Sequence, residues 1–180
     1  ESPSFRVLGN ALFSQIEIHK EFGGVFPMLA KREHAKNLSP LLEKVLKEAN
    51  HFNPRSNPND SNWADIEKIL EREEGLFIPF KSLLGKIEKP DIDIISVTSG
   101  PGLEPALWVG ISFAVALGKV WGLPVVPANH MEGHITSVLI EDEENPVMFP
   151  ALALLISGGH TEIVEIESWG SYKIIGQTVD

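Results

Sequence analysis

The sequence predicts an α/β fold in which helices alternate with buried strands. Short runs that are apolar at almost every position, such as residues 91–98 and 149–156, are typical of strands covered on both faces. Longer segments with apolar residues at helical spacing, such as residues 28–48 and 106–121, lie between the strands. This alternation favours a mixed sheet with flanking helices.

The composition limits the functions that the chain can have. The sequence has 180 residues, a formal net charge of -10 and no cysteine. The lack of cysteine excludes disulfides, thiolate catalysis and cysteine-ligated zinc, and it is compatible with a reducing cytosol. No apolar run has the length of a transmembrane helix, so we expect no membrane association through a spanning segment. An acidic chain repels phosphate backbones on average, so nucleic-acid binding would require a local basic patch or a basic partner.

The first quarter of the chain is predicted to contain a strand and a long helix. Residues 5–15 have strand-like composition and residues 22–27 are typical of a turn. Residues 28–48 carry leucine and valine at helical spacing, which predicts one long helix. We interpret Arg32 and His34, in its first turns, as part of a solvated helix face.

Residues 51–89 are predicted to be an insertion. Residues 51–62 are rich in Asn, Pro and Ser, which indicates a loop. Residues 63–89 combine mixed charge with apolar residues at helical spacing. We interpret the segment as a helical elaboration of the surface, with no predicted function.

A glycine-containing loop follows the strand at residues 91–98. Residues 99–103 read Ser-Gly-Pro-Gly-Leu and precede a helix at residues 106–121 that is rich in small residues. A strand, a glycine loop and a helix in this order place backbone N–H groups where anions are stabilised. The loop is not of the Walker type, because no Gly-Lys-Ser/Thr follows it. An anion site and a plain strand-to-helix turn are both compatible with this pattern.

Two histidines, His130 and His134, form the most specific chemical pattern of the chain. Residues 123–127 read as a short buried strand and residues 128–129 as a turn into the next helix, which has Ile135, Val138 and Leu139 on its apolar face. On a helix, residues four apart leave the same face, so one helix can supply two imidazoles to one metal ion. Zinc proteases place a glutamate beside the first histidine, and this chain has Met131 there. The alternative is that the histidines are ordinary surface or core residues.

The last part of the chain is predicted to form a hairpin with a polar tip. Strand 149–156 and strand 162–166 flank the sequence Ser-Gly-Gly-His-Thr, and residues 172–176 indicate a further strand. Residues 141–146 form an acidic loop before this hairpin. Paired glycines let a backbone approach a phosphate closely, and the hydroxyl groups can donate to it. An ordinary hairpin turn explains the same glycines.

These patterns together resemble the bacterial TsaD family, the tRNA adenosine threonylcarbamoyltransferases once described as O-sialoglycoprotein endopeptidases. The resemblance covers nearly the whole chain except residues 51–86. The matching residues are Ser14-Gln15, His19, Gly23-Gly24-Val25, Pro27, Leu29-Ala30, Arg32, His34, Thr98, Gly100 to Leu103, Val109-Gly110, His130 to His134, and Leu154 to Thr161. The motifs His-Met-Glu-Gly-His and Ser-Gly-Gly-His-Thr, in this order, are together highly specific for this family.

The resemblance implies an actin-like, ribonuclease-H-like fold and a defined reaction. Family members transfer a threonylcarbamoyl group from threonylcarbamoyl-AMP to N6 of adenosine 37 in tRNAs that read ANN codons. The family also implies a cytoplasmic protein that acts with a paralogous non-catalytic subunit and an ATPase subunit. Those partners could supply the basic surface that this acidic chain lacks.

The resemblance also implies site residues. By carry-over, His130 and His134 are ligands of one divalent metal ion, Fe²⁺ or Zn²⁺, that acts as a Lewis acid. The same comparison implies an adenylate pocket formed by Leu155, Ile156, Ser157, Gly158 and Gly159.

The chain departs from the family pattern in several places. The opening strand with its Glu-Thr-Ser-Cys-Asp loop and the third metal ligand, an aspartate of the second lobe, are absent, and Met28 stands where the family has glutamate. We therefore expect residues 1–180 to be a partial domain, mostly the N-terminal lobe, with the insertion at 51–89 and the start of the nucleotide-binding hairpin region at 150–180. We expect this chain alone to be inactive.

Two other functions remain open at this stage. A metalloprotease is the older family description, but no base stands beside the proposed metal ligands. A non-catalytic scaffold like the paralogous subunit is the second alternative. Both histidines argue against a scaffold, since a scaffold does not need them.

Overall fold

A computed structural model describes residues 6–57, 61–139, 147–156 and 160–179. The chain divides into two compact units, one formed by Leu8–Asn129 and the other by His130–Asp180 with Glu1–Val7. Helices accompany both parallel and antiparallel strands, which confirms the predicted α/β class. Within the described ranges, no helix is both long and apolar enough to cross a bilayer.

The larger unit, Leu8–Asn129, is built around a parallel pair of strands. Its described elements are α1 (Ile16–Lys20), α2 (Pro27–Glu48), α3 (Trp63–Leu70), α4 (Phe77–Leu84), β1 (Ile95–Gly100), α5 (Glu104–Trp121) and β2 (Val125–Asn129). Helix α5 is the crossover between β1 and β2, as parallel pairing requires. The predicted helices at 28–48 and 106–121 are confirmed, and Pro27 occupies the first turn of α2, where a missing N–H costs nothing.

The smaller unit contains one short helix and an antiparallel sheet. Its described elements are α6 (His130–Thr136), a 3₁₀ turn (Ser137–Leu139), β3 (Ala151–Ile156), β4 (His160–Ser168) and β5 (Ser171–Val179). The strand order is β3-β4-β5, and both pairs are antiparallel. The three strands predicted in this region are therefore confirmed. The acidic loop predicted at 141–146 lies outside the described residues.

Three predictions for residues 6–129 differ from the structure. Residues 6–15 form no regular structure, so the strand predicted at 5–15 is wrong over its described part. The strand predicted from residue 91 begins at Ile95, and the turn predicted at residues 128–129 belongs to β2. The reason is pairing: a strand persists only where a partner supplies hydrogen bonds, and the ladder runs from Ile95 opposite Val125 to Gly100 opposite Asn129.

The insertion supplies much of the core of the larger unit. Its predicted helices are confirmed as α3 and α4, but the interpretation as a surface elaboration is wrong. Buried insertion residues pack with buried residues of α2 and α5; those from the insertion are Ile66, Leu70, Leu76, Phe80, Leu83, Leu84 and Ile87. The ring of Phe80 meets Phe113 of α5 edge to face, with 5.2 Å between centroids. Burying several large apolar side chains stabilises the fold by about 2 kcal/mol for each of them.

The two ends of the insertion are joined to each other. Pro54 and Ile87 form an isolated antiparallel bridge. The N–H of Arg55 donates to the carbonyl of Lys86 at 2.7 Å, and the N–H of Glu88 donates to the carbonyl of Asn53 at 2.9 Å. The two ends of the insertion are therefore adjacent in the structure.

A buried carboxylate fastens the insertion to the helices beneath it. The side chain of Glu73 is only 2% exposed, and Oε2 lies 3.1 Å from Nζ of Lys31 on α2. Ser112 Oγ of α5 donates to Oε1 at 3.4 Å, and Lys31 Nζ also donates to the carbonyl of Arg72 at 2.9 Å. One acidic side chain of the insertion thus contacts both α2 and α5.

Gly118 is expected to be intolerant of a side chain, because α5 approaches the start of β2 closely there. A Cβ at this position would lie 2.6 Å from Val125 Cγ2 and 2.9 Å from the carbonyl oxygen of Leu123. We expect Gly118→Ala to lower the free energy of unfolding by about 1–3 kcal/mol, measured by urea denaturation.

Gly110 in the same helix is the matched control for this prediction. The nearest atom to a Cβ there is Val97 Cγ2 at 3.7 Å, an ordinary contact. Gly110→Ala should be neutral or stabilise by up to about 1 kcal/mol through helix propensity. Equal effects of the two substitutions would contradict the steric explanation.

Candidate functional site

Helix α6 presents two histidines because its other face is attached to the sheet of the smaller unit. Ile135 is buried among Leu155, Val164 and Ile166, and Met131 packs against the same cluster. Met131 and Ile135 are four apart and therefore share a face. His130 and His134 each immediately precede one of these two residues in sequence. Their side chains are therefore rotated by about 100° around the helix axis from the attached face. Both imidazoles are exposed to solvent.

The two imidazoles converge on one point. Their Nε2 atoms are 3.2 Å apart, and the ring centroids lie 4.6 Å apart with an interplanar angle of 72°. Two nitrogens held at about 2.0–2.1 Å from one ion are separated by about 2.8–3.0 Å in octahedral geometry and by about 3.3–3.4 Å in tetrahedral geometry. The spacing of His130 and His134 therefore fits two ligands of a single ion. Imidazole nitrogens suit zinc and iron.

The histidine pair accounts for only part of a coordination sphere. Within the ranges that the structure describes, no three His, Cys, Asp or Glu side chains are grouped so that they could hold a metal ion. A tetrahedral or octahedral ion bound here would take its other ligands from residues outside those ranges, from solvent or from substrate.

The apolar face predicted for this helix is confirmed at one position and wrong at another. Ile135 is buried, whereas Val138 is 53% exposed. Helix α6 ends at Thr136, and residues 137–139 form a 3₁₀ turn. A 3₁₀ turn has about three residues per turn, so side chains beyond Thr136 leave the direction set by the α-helix. The side chain of Leu139 lies outside the described set.

Strand β3 places two of the five residues predicted for the adenylate pocket, Leu155 and Ile156, in the same unit as the histidines. Leu155 is 9% exposed and belongs to the core that holds Ile135, so its side chain supports α6. Ile156, at 75% exposure, faces away from that core. Ser157, Gly158 and Gly159 lie outside the described residues. The predicted antiparallel pair is present up to Ile156 opposite Thr161.

The glycine loop before α5 is explained by its own backbone. Gly100 and Gly102 have φ values of +144° and +159°, which L-residues rarely adopt. Glu104 occupies the first turn of α5, where its negative charge already complements the helix dipole. These features favour the plain strand-to-helix turn over an anion site.

A buried histidine, which the family resemblance named without a role, orders the connection from α1 to α2. His19 Nδ1 accepts the N–H of Phe26 at 3.3 Å, so Nε2 carries the proton and donates to Gln15 Oε1 at 3.1 Å. His34 is half-buried, and its Nδ1–H donates to the carbonyl of Ala30 at 2.7 Å. The interpretation of His34 as a solvated side chain is therefore wrong. The sequence signals for His19 were its place among the residues that match the family and its position near a glycine turn.

Comparison with models of protein families identifies one match. Residues 6–53 and 81–180 match the family described as TsaD: tRNA N6-adenosine threonylcarbamoyltransferase. The matched ranges include α6, with its two histidines, and the β3–β4 hairpin. Residues 54–80, which contain α3 and the start of α4, fall outside the match.

Proposed function

Because this chain belongs to the TsaD family of tRNA N6-adenosine threonylcarbamoyltransferases, we propose that it transfers the threonylcarbamoyl group from threonylcarbamoyl-AMP to N6 of adenosine 37 in tRNAs that read ANN codons. In this reaction N6 forms a bond to the carbamoyl carbon. The bond from that carbon to the phosphate oxygen of AMP breaks, and N6 loses one proton. AMP is the leaving group.

The convergence of His130 and His134 is the observation that supports a metal-dependent reaction. Two Nε2 atoms 3.2 Å apart fit one Fe²⁺ or Zn²⁺ ion. A bound ion would supply Lewis-acid polarisation of the carbonyl group under attack. Both imidazoles must be neutral to offer their lone pairs.

The contribution of the protein at this site is positioning. Met131 and Ile135 attach α6 to the sheet, and this attachment keeps the two imidazoles in one orientation. The same packing weakens the protease alternative, because Met131 occupies the position of the protease base and packs against the core. Residues 155–159 are proposed to hold the adenylate, with the hairpin backbone next to its phosphate.

Partner proteins are part of the proposal. The chain carries a net charge of -10, and tRNA is a polyanion. A paralogous non-catalytic subunit and an ATPase subunit would supply basic surface for the tRNA. Their contribution predicts that tRNA binds more tightly to the assembled complex than to this chain, with strong salt dependence.

Nucleoside analysis of tRNA tests the proposed reaction. The complete gene product is combined with both partner subunits, Fe²⁺ or Zn²⁺, threonylcarbamoyl-AMP and an unmodified ANN-reading tRNA transcript. We expect threonylcarbamoyladenosine at position 37, and none in a transcript with guanosine at that position. A complex that binds the tRNA and leaves it unmodified with either metal would overturn the transferase proposal and favour the scaffold.

A further inference from the structure

A cavity of about 680 Å³ lies within the larger unit where the insertion meets α2 and α5. Polar and charged side chains provide most of its lining, and the apolar part comes from Met28 of α2, Ile69 of α3, and Pro105 and Trp108 of α5. Trp108 is 51% exposed, so one large aromatic side chain remains open to a ligand. The insertion residues that line this cavity belong to the part of the chain that the family model does not match.

The floor of the cavity is polar and already organised. Lys31, Glu73 and Ser112 all line it, and the almost fully buried Glu73 contacts both of the others. Glu73 Oε2 accepts no well-oriented hydrogen bond within the described residues, although Lys31 Nζ is 3.1 Å away. The floor therefore offers an ammonium donor, a carboxylate acceptor and a hydroxyl group within one small area.

The mouth of the cavity carries cations that no acidic residue neutralises directly. Lys68 and Arg72 are four residues apart and line the mouth, and both are exposed. A second cavity of about 510 Å³ shares Arg72 and adds Arg32. Among the described residues, none of these three side chains has an ion-pair or hydrogen-bond partner. Glu71, Glu74 and Glu104 also line these two cavities, and Glu73 faces Lys31, so the formal charges of the lining side chains balance. Within the described ranges, attraction for an anion would come from the unpaired side chains of Lys68 and Arg72.

We propose that this cavity binds a nucleotide, with its base against Trp108 and its phosphate at Lys68 and Arg72. The size favours a ligand larger than an amino acid, since sites for drug-sized ligands fill about 300–1,000 Å³. A base presents a flat face for stacking and a polar edge for the Lys31–Glu73–Ser112 floor. Two cations without ion-pair partners in the described part of the chain, Lys68 on α3 and Arg72 in the turn after it, complement the charge of a phosphate. The nucleotide is either free or one unit of an RNA strand.

Equilibrium binding of AMP and of a uridylate hexamer to the purified protein tests this proposal. Both probes are titrated by calorimetry at two salt concentrations. We expect Trp108→Ala to weaken binding about five- to hundredfold, as loss of one stacking partner does, and Trp108→Phe to retain most of the affinity. Lys68→Gln and Arg72→Gln should each weaken binding and reduce its salt dependence. AMP binding alone assigns a free nucleotide, and much tighter hexamer binding assigns RNA.

Two exposed positions in the same unit provide matched controls. Lys89→Gln removes an exposed charge and Ile78→Ala an exposed apolar side chain, and neither residue lines the cavity. Circular dichroism establishes that each variant is folded. The proposal is overturned if neither probe binds, or if binding survives both Trp108→Ala and the Lys68→Gln, Arg72→Gln double variant. Binding that survives belongs to another site, such as the hairpin at residues 157–159, and leaves the proposed transferase function intact.

Discussion

Substitution of His134 by alanine is expected to abolish stoichiometric metal binding, with a loss of affinity of about a hundredfold or more. The reason is geometric: the site within the described residues consists of two Nε2 atoms 3.2 Å apart, and one atom cannot replace the pair. His130→Ala should have the same effect. The measurement is metal content after anaerobic purification, followed by titration with Zn²⁺ and Fe²⁺.

His51→Ala is the control for the loss of a histidine as such, because His51 lies in the other unit and does not contribute to the pair. We expect its metal content to equal that of the native protein. A complete gene product, extended through the second lobe, that binds no metal would refute the assignment of His130 and His134 and favour the scaffold function. Metal retained by both single variants would place the ion elsewhere in the chain.

Lys31→Met is expected to lower the free energy of unfolding by about 2–4 kcal/mol. The substitution keeps the apolar stem of the side chain and removes the cation that faces Glu73. Because the Glu73 side chain is 2% exposed, its carboxylate would remain buried with only Ser112 as a neighbouring donor. Urea denaturation at neutral pH measures the effect.

The matched control for this prediction is Lys36→Met on the same helix. Lys36 is 72% exposed and lies 3.9 Å from Glu33, so its loss should cost less than about 1 kcal/mol. The deficit of Lys31→Met should shrink in a Glu73→Gln background, because the neutral amide leaves no charge unpaired. A deficit of the same size in both backgrounds would mean that lost packing, rather than charge, is responsible.

The elements with strong periodicity could be predicted from the sequence. Helix α2 was predicted within one residue of its start, and each predicted strand of the hairpin region exists. The spacing of His130 and His134 predicted a shared helix face, because four residues complete about one turn. These features depend on local pattern, which the sequence carries directly.

What the sequence could not predict depends on partners that are distant along the chain. Residues 6–15 have strand-like composition and find no pairing partner among the described residues. The insertion has the charge content of a surface segment, yet Phe80 and Leu84 are completely buried against α2 and α5. The cavity beside Trp108 is lined by Glu73 and by its partners Lys31 and Ser112, which are 42 and 39 residues away in sequence by their numbering.

The joined ends of the insertion also bear on how the chain folds. The bridge between Pro54 and Ile87 closes the insertion into a loop. Once it has formed, the chain that separates α2 from α5 is effectively much shorter. Each halving of an effective loop reduces its closure entropy by about 0.6 kcal/mol. Contacts between α2 and α5, which are remote in sequence, would then form after a smaller entropic barrier. Early closure of this loop should speed the folding of the larger unit, as a lower effective contact order does.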